Sequence, residues 1–350
     1  MNICIVTVYN SENCGSFYQA YALYKILENK GHNVVFLKRD IHGTSHSKKL
    51  SILNSMKSLA RGRLFSAFNN IKKYYAFEKA TKIFKIIENY PDALKDIDCF
   101  IIGSDTLWNF ESKYFYKRST IYTGLELPAK RKITYAVSIA NTPIKVLTEN
   151  NSIVKGIKQL DAISVRDVNT MEAVKEITET THAQVLDPTF LLDELSYKEM
   201  EGHIDESDYI LIYGFGKIPQ EIKSQLLKAS VNLGCKIISY GSYRKWANVN
   251  TIYDPATFLA YFRNAGYVVT NTYHGTIFSI IYKKNFICYG QEKNKVRDLV
   301  ESLKLTKQFI SPNESILGKL KRTPDYENAN KILEERKHTS INYLFKSIEG

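Results

Sequence analysis

The stretch from Ala265 to Ile281 constrains this chain more than any other. Tyr267-Val268-Val269-Thr270 is β-branched or aromatic throughout and reads as a buried strand. Ile277, Ile280 and Ile281 then recur at helical spacing. Between the two lies a polar turn containing Asn271, Thr272, His274, Gly275 and Thr276. A buried strand that feeds a helix through a short polar turn is the unit of a parallel α/β sheet. Such sheets bind ligands at the carboxyl ends of their strands. The helix start offers unpaired N–H groups and the positive end of a dipole, which suit a phosphate or carboxylate. The plainer reading of His274 is a residue that hydrogen-bonds the turn and caps the helix. Gly275, which would let a ligand approach the backbone closely, and the crowded hydroxyl and amide side chains favour a ligand role.

The same unit recurs along the chain. Ile3 to Val8 reads as a strand, followed by a polar loop with Asn13 and Gly15 and a helix from Phe17 to Asn29. Asn13-x-Gly15 is not a dinucleotide fingerprint, but it is a polar loop above the first strand. Asp98 to Ile102 runs into Gly103-Ser104-Asp105, and Ile133 to Val137 runs into Ser138. Ala162 to Val165 delivers Arg166-Asp167, and Gln184 to Leu186 ends at Asp187-Pro188-Thr189. Asp-Pro after a strand is also a common turn, and Arg166 has Asp167 and Glu172 as near ion-pair candidates. Glu194 to Ser207 is acidic and lacks a sheet pattern, after which the alternation restarts at Tyr209. The expectation is therefore an α/β protein of two Rossmann-like, doubly wound domains facing a cleft. Residues 1–193 form the first domain, on the acceptor side, with a basic helical insertion at about 42–89. Residues 194–325 form the second and carry the His274 turn. Residues 326–350 form a terminal helix packing back on the first domain.

Several function classes are excluded or demoted. No run of 18 apolar residues is present and the N-terminus lacks a signal-peptide layout. The five cysteines are scattered and form no CxxC, which argues for reduced, cytosolic thiols and against a metal site or disulfide framework. The net charge of +12 favours an anionic partner. Much of it is local: between Ile41 and Lys85 the only acid is Glu78. That segment reads as a solvated lid; its functional alternative is peripheral docking on an anionic membrane, here the inner face of the plasma membrane. No nucleic-acid reader motif is present, so nucleic acid is not an expected partner.

Taken together, the motifs resemble the polysaccharide pyruvyl transferase family. They are Asn13-x-Gly15 with Gln19-Ala20-Tyr21; Gly103-Ser104-Asp105 with Trp108-Asn109; Tyr135-Ala136-Val137-Ser138; Ser164-Val165-Arg166-Asp167; Leu186-Asp187-Pro188-Thr189; Asp254-Pro255; and Asn271 with His274-Gly275-Thr276. The resemblance implies a GT-B-like fold and a transferase moving pyruvate from phosphoenolpyruvate to a sugar of a surface polysaccharide or its precursor, as a ketal. It implies no cofactor beyond the donor substrate, and a sugar or lipid-linked oligosaccharide as acceptor. His274 and Asp105 are the expected catalytic residues. Arg166, Asn271, Gly275, Thr276 and Arg297 are expected at the donor, and Asn13, Gly15, Ser138 and Asp187 at the acceptor. Many members carry Arg two residues before the His, where this chain has Thr272; Arg297 or Lys283 is the expected substitute. The competing expectations are a nucleotide-sugar glycosyltransferase of the same fold and a non-catalytic protein binding anionic surfaces.

Overall fold

The computed structural model describes residues 1–38, 48–128, 130–290, 294–311 and 314–350. The start of the expected insertion, 42–47, and the expected helix start at Lys293 lie outside the described residues. The first sheet holds β1 (Asn2–Val6), β2 (Asn33–Leu37), β3 (Ile86–Ile87), β4 (Cys99–Asp105), β5 (Arg131–Val137), β6 (Ser164–Val165) and β7 (Ala183–Gln184). All its pairings are parallel, in the order β3-β2-β1-β4-β5-β6-β7. The second sheet, also parallel, holds β8 (Ile210–Tyr213), β9 (Ile237–Tyr240), β10 (Val249–Thr251), β11 (Tyr267–Thr270) and β12 (Asn285–Cys288). Its order is β10-β9-β8-β11-β12. Each sheet winds outward from its first strand, returns, and winds the other way. The reversals fall between β1 and β4 and between β8 and β11, and crevices open above such reversals.

The helices used below are α1 (Cys14–Asn29), α2 (Lys48–Ala60), α3 (Leu64–Ala80), α4 (Val168–Thr178), α5 (Gln220–Leu233), α6 (Pro255–Asn264), α7 (Tyr273–Ile281), α8 (Asn294–Ser302) and α9 (Tyr326–Glu349). Helix α1 is buried nearly all round, as a helix enclosed by two domains must be. The Tyr18 hydroxyl on α1 donates to the Pro255 carbonyl of α6, and its ring lies 5.7 Å from that of Phe258 and 5.5 Å from that of Phe278. The cores on this side of the two sheets therefore merge into one aromatic layer. Helix α9 touches both domains: the Leu186 N–H donates to the Ser340 hydroxyl, Arg131 donates to the Ser347 carbonyl, and the Tyr326 hydroxyl donates to the Ser279 carbonyl.

The basic insertion differs from expectation. The insertion is not helical as far as residue 89: α3 stops at Ala80, and the Thr81 hydroxyl bonds back to the Phe77 carbonyl. Ile86 and Ile87 then extend the sheet as β3, because a β-branched pair beside the edge of β2 gains a ladder there. Nor is the insertion detached. Asn69 on α3 donates to the Gly241 carbonyl and accepts from the Tyr253 N–H, and Lys73 lies 2.9 Å from Glu12. A polar inner face thus fastens α3 to the carboxyl ends of β9 and β10 and to the loop before α1.

Candidate active site

Thr272 builds the turn that presents His274. Its backbone is extended, and its hydroxyl accepts the Gly275 N–H at 3.0 Å, which caps α7. His274, the second residue of α7, projects across the domain boundary onto the start of α1. A Cβ placed on Gly15 would fall 2.2 Å from His274 Nδ1, so glycine is required there for the two elements to meet. Asn13 caps α1 by accepting the Gly15 N–H at 2.8 Å. One residue on, the Ser16 hydroxyl donates to Asp105 Oδ2 at 2.7 Å.

Asp105 closes β4 with φ at +84°, a left-handed conformation that costs on the order of 1–3 kcal/mol in a non-glycine residue and clusters at functional sites. Arg166, leaving β6, donates to Asp187 Oδ2 at 2.9 Å and holds Nη2 3.9 Å from Asp105 Oδ1. Its guanidinium lies 4.6 Å from the centre of the Tyr273 ring. His274 Nε2 stands 3.6 Å from Asp187 Oδ2, too far for a hydrogen bond but close enough for strong electrostatic coupling. Asp105, Arg166, Asp187 and His274 therefore form one line of charged or chargeable groups running from the first domain into the second.

Burial alone would raise the Asp187 carboxyl. The His274 imidazole and the Arg166 guanidinium outweigh it and hold the group well below the usual carboxylate range. Burial also works to raise Asp105, and there Arg166, His274 and Ser16 prevail and lower it. A depressed folded-state value means stability that is present above the unfolded carboxylate value of about 4 and lost as pH falls through the folded one. Asp187→Asn should therefore be less stable than the native protein by a constant margin from pH 7 down to about pH 5. That margin should shrink below about pH 4. Urea unfolding across that range checks it; a margin that grows on acidification would contradict the assignment.

A cavity of about 330 Å³ lies between the domains, within the size range of small-molecule sites. Asn13, Ser16, Asp105 and Asn141 line it from the first domain, and Phe215, Asn271, His274 and Lys295 from the second. Asn271 clamps the end of β8, exchanging hydrogen bonds with the Phe215 N–H and carbonyl.

Several expected site residues are placed elsewhere. Arg166 and Asp187 do not line this cavity. They lie behind its wall with almost no exposed side-chain surface, because the two carboxylates draw the guanidinium inward. Arg166 pairs with these, not with its neighbours: Asp167 caps α4 and Glu172 is exposed. Ser138 is fully buried and accepts the Ala140 N–H. Thr276 is fully buried and donates to the Thr272 carbonyl. The space that Gly275 leaves is filled by the hydroxyls of Thr270 and Thr272 and the Tyr213 ring, so it serves packing of the turn and not ligand approach.

Arg297 is exposed on α8 and does not line the cavity. Lys283 is exposed just past the far end of α7, a helix about 13 Å long, on the wrong side of the sheet. Among the described residues, Lys295 at the start of α8 is the second-domain cation that lines the cavity; its ammonium lies 6.0 Å from the Tyr273 ring centre. Ser16, Tyr273 and Lys295 escaped the sequence reading. Ser16 and Tyr273 sit beside residues singled out there, whereas Lys295 carries no local signal.

The profile of the polysaccharide pyruvyl transferase family matches residues 13–293, from the cap of α1 to just before Lys295. The chain belongs to this family, and it is a transferase. No curated protein matches the sequence. Among solved structures, the spinosyn forosaminyltransferase SpnP is similar with a TM-score of 0.51 at 10% identity, over 100% of each chain. LpCGTa, solved in complex with UDP, is similar with a TM-score of 0.50 at 10% identity, over 100% of this chain and 99% of that one. At such identity the likeness shows the fold alone, two parallel-sheet domains of the GT-B kind.

In this transferase Gly15 carries a direct test of the site geometry. Gly15→Ala forces a methyl into the imidazole, so the ring must move by an ångström or more. Turnover should fall on the order of 10²-fold, with the thermal midpoint near native. Full activity in Gly15→Ala would place the working position of His274 elsewhere.

Proposed function

We propose that this family member transfers the pyruvyl group of phosphoenolpyruvate to a sugar of a surface polysaccharide or its precursor, forming a ketal. One observation supports the reading above others: His274 reaches from the second domain into a cavity whose opposite wall is the Asp105 carboxylate, in a chain of this family. The reaction needs the donor methylene carbon to gain a proton and become a methyl group. C2 then forms bonds to two sugar oxygens while its bond to the phosphate oxygen breaks. The two hydroxyl protons balance the change, one ending on the methyl group and one on the released phosphate. An imidazolium at His274 can deliver the first proton, and the neutral ring can take one from an attacking hydroxyl.

Asp105, ionised and held by Ser16 and the Thr106 N–H, faces the same cavity and can serve as the second base. Arg166 and Asp187 are positioning residues that fix the line of charge behind both. The donor's anions would meet Lys295 and the N-terminal end of α7. Thr272 is committed to capping that helix, so Lys295 takes the place of the arginine that many members carry.

Steady-state phosphate release from phosphoenolpyruvate, measured against a panel of hexosides and lipid-linked sugars, tests the proposal. Acceptor-dependent phosphate release is the expected result. Release of a nucleoside diphosphate from a nucleotide sugar, with phosphoenolpyruvate untouched, would favour the glycosyltransferase reading and overturn this one.

A further inference from the structure

The hairpin of α2 and α3 is amphipathic in the wrong sense for a protein surrounded by water. Its buried positions are Ser51, Ser55, Ala67 and Asn69, together with Phe77, and the hydroxyls and the amide are all hydrogen-bonded. Its exposed positions include Met56, Leu59, Leu64, Phe68, Ile71 and Tyr75, each between 40% and 71% exposed. Leu64, Phe68, Ile71 and Tyr75 follow helical spacing and make one apolar stripe along α3. Lys57, Arg61, Arg63, Lys72 and Lys79 are exposed on the same hairpin, and Lys72 lies 4.2 Å from the centre of the Phe68 ring. A continuous apolar surface of this kind marks a contact site.

The charge decides what covers it. A second copy would set one cationic hairpin against another, with Glu78 the only acid between residues 48 and 85. An anionic bilayer suits both features: the apolar stripe enters the headgroup–acyl boundary, and the lysines and arginines reach the lipid phosphates. We infer that the α2–α3 hairpin docks this protein on the surface of an anionic phospholipid bilayer.

The inner face of the hairpin gives docking a consequence. Ser51 and Lys73 bind Glu12, whose neighbour Asn13 lines the cavity, and Asn69 binds the loops after β9 and β10. A docked hairpin brings the cavity to the membrane surface, where a lipid-linked sugar would be presented. This consequence, unlike the docking itself, rests on the proposed transfer.

Vesicle co-sedimentation of the full chain tests the inference, using phosphatidylcholine with and without phosphatidylglycerol, at low and high salt. The native protein should bind the anionic vesicles at least about tenfold better than the neutral ones and lose that preference at high salt. The triple variants Leu64→Ser/Phe68→Ser/Ile71→Ser and Lys57→Glu/Arg61→Glu/Lys72→Glu should each lose at least about tenfold in binding. Both should keep a native thermal midpoint and native phosphate release with a water-soluble acceptor, since the altered side chains are exposed. Equal binding to both vesicle types, or none, overturns the inference. So does a serine variant that turns a dimer into a monomer in analytical sedimentation, because the stripe then belongs to a second copy. Binding is read without substrate, so a native protein that turns over the donor but does not bind anionic vesicles sinks the docking alone, and one that binds them without donor turnover sinks the transfer alone.

Discussion

His274→Asn should lower steady-state phosphate release by about 10²- to 10⁴-fold while the protein stays folded. Asparagine keeps a hydrogen-bonding group of similar reach but has no proton to exchange near neutral pH. His274→Ala should fall in the same range, and neither change should unfold the chain. The ring packs against a glycine and a carboxylate at a cavity wall, not inside an apolar core. The two variants separate the roles open to the residue. A cap or turn role predicts that alanine destabilises and asparagine largely rescues. A proton-transfer role predicts that both remain stable and both are slow. If His274→Asn keeps near-native turnover, the histidine is structural and the proton chemistry passes to Asp105.

Arg166→Ala should be the most destabilising single change in the cluster, by about 3–5 kcal/mol at pH 7. The guanidinium is the cation that stands between the Asp105 and Asp187 carboxylates, and its removal leaves two buried like charges without the cation that bridges them. Arg166→Met combined with Asp187→Asn should recover part of the loss, because one carboxylate leaves with the cation. Arg166→Lys should keep the charge but lose the fork and the flat stack on Tyr273, and so fall between native and alanine. Urea unfolding of the four proteins measures this. If Arg166→Ala shifts stability by less than about 1 kcal/mol, the network behaves as a solvated surface pair and the guanidinium does not hold the two carboxylates in place. Arg166→Lys also tests the donor site: a raised apparent donor constant with unchanged stability would mean that the guanidinium touches the donor itself.

The architecture was legible because its cause is local. A β-branched run, a polar turn and a helical pattern occupy fewer than about twenty residues, and their alternation leaves few topologies open. In the central stretch Tyr267–Thr270 is the strand as read, but the helix begins at Tyr273, so His274, Gly275 and Thr276 lie in its first turn and not in a loop before it; Asn13, Asp105, Asn271 and His274 all reach the cavity. The strands that escaped, β3 and β10, span two and three residues at sheet edges, too short for any period to show. Arg297 is a cation close to the turn in sequence. Yet only Lys295, two positions away, faces inward, since about 100° of helix rotation per residue puts the two on different sides.

The chain by itself determined that polar residues would gather at one edge of each sheet, because strand direction and crossover handedness follow from short-range sterics and connection length. Which of those residues meet was decided only by tertiary structure. Gly15 receives His274, and Arg166 joins Asp105 to Asp187, because strand order and the domain seam bring together backbones that the sequence keeps far apart. The α2–α3 hairpin makes the same point in reverse. Its composition announced an amphipathic helix, but which face would be buried depended on the polar loops waiting for Ser51 and Asn69, and these turned its apolar stripe outward.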